Sequence, residues 1–319
     1  MRKIDNLESY RIITSVARTG SAKVTGEKLG LETTNVFRCL RQMEEELGAP
    51  LFDRETRPMQ LTEKGREFCQ VAEQMLGLQR HLLEKISEDV DADAGVIRIA
   101  STAGARHNTI TPAIVRYLGE HPGVQFELAD LIDGNDNFMR SLKGIENDIV
   151  LRYASENPLP EGVQSITLCQ IPFYACASPV YIQRHGEPTS PADCIHHTGI
   201  LLQLAGRTVV EHLVSEGVSE RLRWANVTRF NSQLDARDAL VLGAGVIPDL
   251  ALPYFYEVLR AGEAVPVMRR WHRPTTTMCL FVTEEAMKKR RVRNFVEWFS
   301  QLYVEEMAER KRWVDEYLA

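Results

Sequence analysis

The stretch that decides the fold is ETTNVFRCLRQMEEELG, residues 32 to 48, because it carries two different faces at helical spacing. One face is apolar and recurs at steps of three or four residues, through Val36, Leu40, Met43 and Leu47. The other face offers hydroxyls, an aromatic ring and two guanidinium groups, from Thr34, Phe37, Arg38 and Arg41. This pattern alone is typical of an amphipathic helix with one solvated side, so the flanking sequence decides what the second face does.

The residues before this stretch predict two further helices. An apolar stripe begins at Leu7, and Gly20 can end that helix as a left-handed residue. Ser21 can then cap a second helix, which Gly30 ends in the same way. Two short helices joined by a glycine-containing turn, the second with a basic outer face, form a helix-turn-helix.

The residues after the stretch predict a wing and a long helix. DRETRPMQ, residues 53 to 60, is a polar loop between apolar residues, and we interpret it as a two-stranded wing that carries Arg54 and Arg57. Thr62 can cap a helix that runs to about residue 89. That helix has an apolar seam at alternating steps of three and four, which predicts a dimer, through Phe68, Val71, Met75, Leu78 and Leu82.

The rest of the chain alternates strand-like and helix-like segments, which predicts two α/β units with largely parallel sheets. The predicted strands are residues 96–101, 124–130, 147–154, 170–178, 199–204, 221–230, 264–271 and 277–285. The predicted helices are residues 111–121, 138–143, 179–184, 236–242 and 291–307. We expect the second α/β unit to begin near residue 165.

The composition is that of an ordinary soluble protein of 319 residues, with 44% hydrophobic and 26% charged residues. The net charge is −6, but residues 1 to 66 hold 12 Lys and Arg against 10 Asp and Glu, so this part alone suits a polyanion. An apolar leader and a run of about 18 apolar residues are both absent, which predicts a cytoplasmic protein without a membrane segment. The six cysteines form no CxxC pair, which favours reduced thiols over disulfides or zinc.

Residues 7 to 66 resemble the amino-terminal domain of LysR-type transcriptional regulators. The resemblance is carried by the segment LRQMEEELGAPLF, by the Leu-Thr-x-x-Gly pattern at 61, 62 and 65, and by Ser21, Leu29, Arg38, Arg54 and Arg57. It continues more weakly to about residue 300 through GVIRIA, NDIVLRYA and a glycine pair at 243 and 245. It implies an α+β multidomain fold: a winged helix-turn-helix, a long dimerisation helix, and a two-lobed α/β effector-binding domain similar to periplasmic binding proteins.

The implied domains are the DNA-binding domain at residues 1–65, the dimerisation helix at 66–89, a flexible link at 90–94, the effector-binding domain at 95–305 and a tail at 306–319. Lobe I of the effector-binding domain comprises about residues 95–164 and 267–305, and lobe II comprises about 165–266. This chain departs from the family pattern at Thr25 and Gly26, where a small pair is usual, and at Phe37, where a serine is common. A phenyl ring can contact a thymine methyl but cannot donate a hydrogen bond, so the operator sequence cannot be carried over from the family.

Two sets of site residues follow. The DNA-reading set is Ser21, Thr33, Thr34, Phe37, Arg38 and Arg41, with Arg54 and Arg57 in the wing. Ser101 and Thr102 end the first strand of the α/β region, where carboxyl ends of strands face the crevice. The resemblance adds an effector lining of Arg152, Gln203, Asn231 and Ser232, whose hydroxyl, amide and guanidinium groups suit a small carboxylate or another anion.

The sequence therefore predicts a transcriptional regulator that binds double-stranded DNA and a small-molecule effector. It predicts self-association, as a dimer or a tetramer, and RNA polymerase as a further partner. We expect no catalytic site and no cofactor, and no metal site, because Cys194, His196 and His197 have no further ligand pair nearby. Two alternatives stay open: an α/β enzyme or ligand-binding module with an incidental helical amino terminus, and a thiol-based oxidant sensor that uses Cys169, Cys176 and Cys194.

Overall fold

Two units make up the chain, Met1–Glu88 and Asp89–Ala319. The computed structural model describes residues 2–53, 56–87, 92–131, 147–154, 158–203 and 209–319. Arg54 and the helix predicted at residues 138–143 lie outside these ranges. Within them, no helix has both the length and the apolar character that crossing a bilayer requires.

Three short helices open the first unit: α1 (Leu7–Thr19), α2 (Ala22–Leu29) and α3 (Thr33–Leu47). Each is followed by a glycine in the left-handed region, with φ of 63° at Gly20, 68° at Gly30 and 66° at Gly48. The Ser21 hydroxyl accepts a hydrogen bond from the Val24 N–H at 3.4 Å and caps α2. The predicted helix-turn-helix is therefore confirmed.

A small wing and a long helix complete this unit. Strands β1 (Phe52–Asp53) and β2 (Gln60–Leu61) pair antiparallel, with Phe52 opposite Leu61, and form the two-stranded wing that the sequence predicts. Helix α4 (Glu63–Ser87) follows, and the Thr62 hydroxyl caps it by accepting from the Gly65 N–H at 2.9 Å.

Helix α4 has a buried side and an uncovered apolar side. The sequence assigns Phe68 to the dimer seam, but its ring stacks on Tyr10 at 5.2 Å between centroids and so belongs to the core of this unit. The next seam residues are uncovered within the chain: Val71 is 55%, Leu78 48% and Leu82 56% exposed. Apolar side chains at this spacing and exposure form a surface suited to a partner helix.

Lobe I of the second unit contains one mixed sheet. Its strands are β3 (Gly95–Ser101), β4 (Val124–Asp130), β5 (Ile149–Tyr153), β6 (Val163–Ile171) and β14 (Thr276–Thr283). Their order is β4-β3-β5-β14-β6. Strand β3 pairs in parallel with β4 and β5, whereas β14 runs antiparallel to β5 and β6.

The helical segment after β3 begins earlier than the sequence predicts. It consists of α5 (Ala103–Ala105), a π-helix at Arg106–Ile110 and α6 (Thr111–Glu120), so it starts at Ala103 rather than near residue 111. The Thr102 hydroxyl caps it by accepting from the Ala105 N–H at 3.4 Å. A π-helical turn inside a helix often marks a functional segment.

The boundary between the lobes lies later than the sequence predicts. Residues 163–171 belong to lobe I, because β6 pairs with β14 from Ile171 opposite Thr276 to Val163 opposite Thr283. Pro172, which has no N–H to donate to a sheet, separates β6 from β7 (Phe173–Ala177). The predicted strand at 170–178 is therefore two strands in two sheets, and the chain enters lobe II at Pro172 rather than near residue 165.

Lobe II contains a second five-stranded sheet in the order β11-β8-β12-β7-β13. The strands not yet given are β8 (Thr198–Leu202), β11 (Asn226–Phe230), β12 (Val246–Ala251) and β13 (Val265–Pro266), and a separate hairpin is formed by β9 (His212–Ser215) and β10 (Val218–Arg221). The strand predicted at 264–271 stops at Pro266, because Met268 has a left-handed φ of 47°. The strand predicted at 277–285 stops at Thr283, whose hydroxyl caps helix α10 (Glu284–Lys288).

Lobe II carries helices α7 (Pro179–His185), α8 (Gln233–Val241) and α9 (Leu252–Arg260). The sequence does not predict α9. Its Pro253 stands in the first turn, where backbone N–H groups have no acceptor within the helix. Proline lacks this N–H, so it can start the helix here without breaking a hydrogen bond. Phe255 stacks on Tyr174 of β7 at 4.4 Å, which attaches α9 to the sheet.

The closing helix, α11 (Arg290–Leu318), is longer than predicted. Its first half packs on lobe I, where the rings of Phe295 and Tyr117 lie 5.0 Å apart. Its second half packs on α9 of lobe II, where Trp313 meets Tyr256 at 5.3 Å and Val314 is fully buried. The residues predicted as a tail, 306–319, therefore include helix and core, and one helix is packed into both lobes.

Candidate nucleic-acid interface and effector cleft

The outer face of α3 is exposed. Val36 and Met43 are fully buried on the inner side, whereas Phe37 is 53% exposed and Arg38 and Arg41 point to solvent. Aromatic rings are usually buried, so an exposed ring beside cationic groups is stronger evidence of a binding surface than an exposed arginine is. Phe37 is therefore a candidate contact residue.

Two arginines of α3 contact neighbours on the same helix. The Arg38 Nη2 donates to the Asn35 Oδ1 at 2.8 Å, and the Arg41 Nε lies 3.1 Å from the Glu45 Oε1. Exposed pairs at these helical spacings contribute only about 0.2–0.5 kcal/mol. Arg41 can therefore exchange this partner for nucleic acid at small cost, whereas Arg38 can keep its bond through Nη2 while its other N–H groups meet nucleic acid.

A groove of about 630 Å³ lies between α3, the start of α2 and the wing. Five of the predicted DNA-binding residues line it together, namely Ser21, Thr33, Phe37, Arg41 and Arg57. Thr34 and Arg38 are exposed on α3 outside this lining, and Arg54 lies outside the described part of the chain. The apolar floor consists of Leu40, Phe52, Pro58 and Met59.

Sequence reasoning missed Lys23 and Thr56, which also line the groove. Lys23 stands exposed in the first turn of α2, where the partial positive charge of the helix amino terminus also favours an anion. The signal available was its place two residues after the capping Ser21. Lys23, Arg41 and Arg57 give the lining three cationic groups against one carboxylate, Glu44, whose Oε1 accepts from the Leu51 and Phe52 N–H groups at 2.8 and 3.2 Å.

Three predicted effector residues come together at one edge of the lobe II sheet. Gln203 follows β8 and Asn231 follows β11, and these strands are adjacent and parallel, so their carboxyl ends meet. The Gln203 N–H donates to the Phe230 carbonyl at 2.8 Å, which holds the two ends together. Gln203 and Asn231 are exposed, and the Ser232 hydroxyl accepts from the Asp235 N–H at 3.3 Å and caps α8.

The lobe I residues differ in accessibility. Thr102 is exposed, whereas Ser101 is fully buried and its hydroxyl donates to the Thr102 carbonyl at 3.4 Å, so it does not present this group to a cleft. Arg152 is half-buried near the end of β5, beside the end of β3. Residues 103–105 lie next to α8 of lobe II, which brings the Thr102 and Ser232 ends of the two lobes towards each other.

Three further residues near these strand ends were not predicted. Gln233, the first residue of α8, is only 8% exposed, and its Nε2 has no acceptor among the described residues. The Asn108 Nδ2, on the π-helix, is also buried without an acceptor there. Tyr254 of α9 places its hydroxyl against Gly104, where an added Cβ would lie 2.1 Å from that oxygen. Burial from tertiary packing identifies these residues, and no sequence pattern does.

Cys176, Cys194 and His197 are core groups, whereas Cys169 is half-buried and His196 is exposed. Burial raises the pKa of the Cys169 thiol to about 11 and that of Cys194 to about 12, and it raises the pKa of Cys176 as well. The Cys194 thiol donates to the Met268 sulfur at 3.8 Å, and His197 is buried against the Tyr181 hydroxyl at 3.3 Å. No cluster of three or more His, Cys, Asp or Glu suited to a metal ion occurs in the described ranges.

Two family models match the chain. The model described as bacterial regulatory helix-turn-helix protein, lysR family, matches residues 7–66. The model described as LysR substrate binding domain matches residues 91–303. Together they cover most of both units.

Two relatives from Escherichia coli match along nearly their whole length. The HTH-type transcriptional regulator YhjC of Escherichia coli K12 is 26% identical over 310 residues, covering 93% of this chain and 97% of the relative. The HTH-type transcriptional activator AaeR of the same organism is 23% identical over 302 residues, covering 95% of each.

Solved structures show the same fold. AphB of Vibrio cholerae aligns with a TM-score of 0.60 at 20% identity, over 92% of this chain and 98% of that chain. CrgA of Neisseria meningitidis, a LysR-type transcriptional regulator, aligns with a TM-score of 0.57 at 20% identity, over 93% and 99%. With both units matched by family models, the chain belongs to the LysR family of DNA-binding transcriptional regulators, whose members join a helix-turn-helix to an effector-binding domain.

Proposed function

We propose that this regulator binds its operator through the groove between α3, α2 and the wing, and that its second unit binds a small anionic effector. The observation that carries the first half is the lining of one groove by an exposed ring, Phe37, and three cations, Lys23, Arg41 and Arg57. No enzymatic activity is part of the proposal. The protein acts in the cytoplasm, where bacterial DNA is found.

Each group on this face has a role that its chemistry favours. Arg38 binds a guanine edge bidentately, which contributes about 1–3 kcal/mol of discrimination, and Phe37 contacts a thymine methyl. Thr33 and Thr34 contact base edges or the nearby backbone, while Ser21, Arg41, Arg54 and Arg57 contact phosphates, which position the protein without specifying sequence.

We infer the chemical class of the effector from the hydrogen-bond donors that lie near the carboxyl ends of β3, β5, β8 and β11. Thr102, Gln203, Asn231 and Ser232 supply polar groups, and Arg152 supplies a positive charge. The buried amide of Gln233 lacks an acceptor in the described part of the chain, and leaving a buried donor unmatched costs about 1–3 kcal/mol. A ligand rich in acceptors, such as a small carboxylate, removes that cost.

Self-association couples the two functions. The exposed stripe of α4 pairs two chains, and a helix-turn-helix dimer reads two half-sites about one helical turn apart. Two dimers form a tetramer on longer operators, and the bound protein meets RNA polymerase at the promoter. An effector acts only if its affinity differs between two arrangements of the protein, and it then changes the spacing or bend of the bound DNA.

The DNA half of the proposal is tested with duplexes enriched from a random-sequence library by the full-length protein. Arg38→Ala is expected to abolish preference for the enriched duplex while the thermal melting curve stays unchanged. Arg11→Ala is the matched control, because Arg11 is an exposed arginine on α1 that contacts Gln79 of α4. Equal binding by Arg38→Ala and the control would overturn the assignment of α3.

The effector half is tested by thermal shift with a panel of small carboxylates, amines and neutral compounds. A carboxylate is expected to raise the melting temperature of the native protein but not of Gln233→Met, which keeps the side-chain length and removes the donor. Gln183→Met, an exposed glutamine on α7, is the control and keeps the shift. Stabilisation by amines or neutral compounds alone would contradict the anionic effector.

A further inference from the structure

Gly20 does more than end α1. With φ of 63° it occupies the left-handed region, and its Cα also faces the wing: a Cβ built there would lie 2.5 Å from the Pro58 Cβ. Its carbonyl accepts a hydrogen bond from the Met59 N–H at 2.9 Å. The wing therefore contacts the backbone of the turn between α1 and α2 directly, because Gly20 has no side chain to separate them.

The other end of the wing is attached to α3. The Glu44 carboxylate accepts from the Leu51 and Phe52 N–H groups where the chain enters β1. Strands β1 and β2 have two residues each, so their own pairing holds the wing only weakly. The position of Arg57 relative to α3 therefore depends on both attachments. Arg57 is affected directly, because it precedes Pro58, the residue in contact with Gly20.

We infer that Gly20 is a positioning residue for DNA binding: its contact with Pro58 and Met59 holds Arg57 across the groove from Phe37 and Arg41. The inference rests on the proposed contact between Arg57 and a phosphate. A side chain at position 20 meets the rigid proline ring rather than a flexible chain end, so the wing must move. When α3 is bound to DNA, Arg57 is then displaced from the phosphate that it contacts in the native protein.

Gly30 provides a matched control for backbone strain. It follows α2 with φ of 68°, and nothing lies within 4 Å of a Cβ built on it. Gly30→Ala therefore introduces the strain of a left-handed alanine, as Gly20→Ala does, without touching the wing.

The experiment measures the affinity of the full-length protein for its library-enriched duplex between about 50 and 200 mM salt. Arg57→Ala in the native background is expected to weaken binding and to reduce the slope of log K against log salt by about 0.9 per protomer. Gly20→Ala is expected to show the same loss, and adding Arg57→Ala to it is expected to change neither affinity nor slope. In Gly30→Ala the full effect of Arg57→Ala remains.

The outcomes separate this inference from the proposed function. If Arg57→Ala has no effect in the native background, the phosphate contact is wrong and the inference falls with it. If the effect is present there and persists in Gly20→Ala, only the inference is overturned. Should Gly20→Ala lose its helical circular dichroism, Pro58→Gly replaces it, since it removes the ring from the other side of the contact. The effect of Arg57→Ala is then expected to vanish in Pro58→Gly, and its persistence overturns the inference.

Discussion

The Asn35 side-chain oxygen accepts a hydrogen bond from the Arg38 Nη2 at 2.8 Å on the exposed face of α3. Asn35 is half-buried, so it is the less mobile member of the pair. The bond restricts a long side chain before DNA arrives, and ordering such a side chain on binding costs about 0.5–1.5 kcal/mol.

Asn35→Ala is therefore expected to weaken binding to the enriched duplex by about twofold, less than Arg38→Ala does, because a bond worth about 0.2–0.5 kcal/mol orders Arg38 only in part before binding. Isothermal titration of both variants against the same duplex makes the comparison. A loss as large as that of Arg38→Ala would mean that Asn35 contacts the DNA itself.

The exposed stripe of α4 predicts the effect of a charge at its centre. Leu78→Asp is expected to convert the dimer to a monomer without changing the helical content, because Leu78 is exposed within the chain and a buried unpaired carboxylate is costly in an interface. Sedimentation velocity measures the change. Gln70→Asp, at an exposed polar position of the same helix, is the control and is expected to remain dimeric. An unchanged sedimentation coefficient for Leu78→Asp would place the dimer contact elsewhere.

The contact between Gly104 and Tyr254 predicts a coupled pair of substitutions. Gly104→Ala is expected to lower the free energy of unfolding by about 1–3 kcal/mol, because its Cβ meets the tyrosine hydroxyl. Tyr254→Phe removes that oxygen, so Gly104→Ala is expected to cost less in its presence. Urea denaturation of the two single variants and the double variant gives the coupling energy. Strictly additive effects would show that the two side chains do not press on each other.

The buried Val314 predicts that the last turns of α11 stabilise the second unit. Val314→Asp is expected to reduce the free energy of unfolding by about 3 kcal/mol or more, because it buries a charge without a partner. Arg312→Asp, at an exposed position of the same turn, is expected to stay within about 0.5 kcal/mol of the native protein. Chemical denaturation of both variants measures the two free energies of unfolding. Similar midpoints for Val314→Asp and Arg312→Asp would mean that these turns contribute little to stability.

The first unit could be predicted closely because its signals are local. Gly20, Ser21 and Thr62 mark helix ends through backbone conformation and capping, which act within three or four residues. The exposed outer face of α3 also followed from the helix periodicity. Lys23 and the contact of Pro58 with Gly20 did not, because they depend on how the wing packs on the turn.

The second unit was predicted less well because its elements depend on distant partners. The strand β6 joins lobe I only because β14, far along the chain, pairs with it. Helix α9 was missed because its two flanking signals, a proline and a short apolar run, also suit a loop. The buried donors of Gln233 and Asn108 are recognisable only once tertiary packing has removed water from them.

One feature of the second unit constrains how its lobes can move. The chain crosses between the lobes at Pro172 and again between β13 and β14, and α11 adds a third attachment through Phe295 on one side and Trp313 on the other. A hinge needs a line about which one body swings freely, and three attachments leave little of that freedom. Effector binding in this regulator is thus expected to cause a small shear motion, in which α9 slides along α11. A hinge motion that closes the two lobes over a wide angle is not expected.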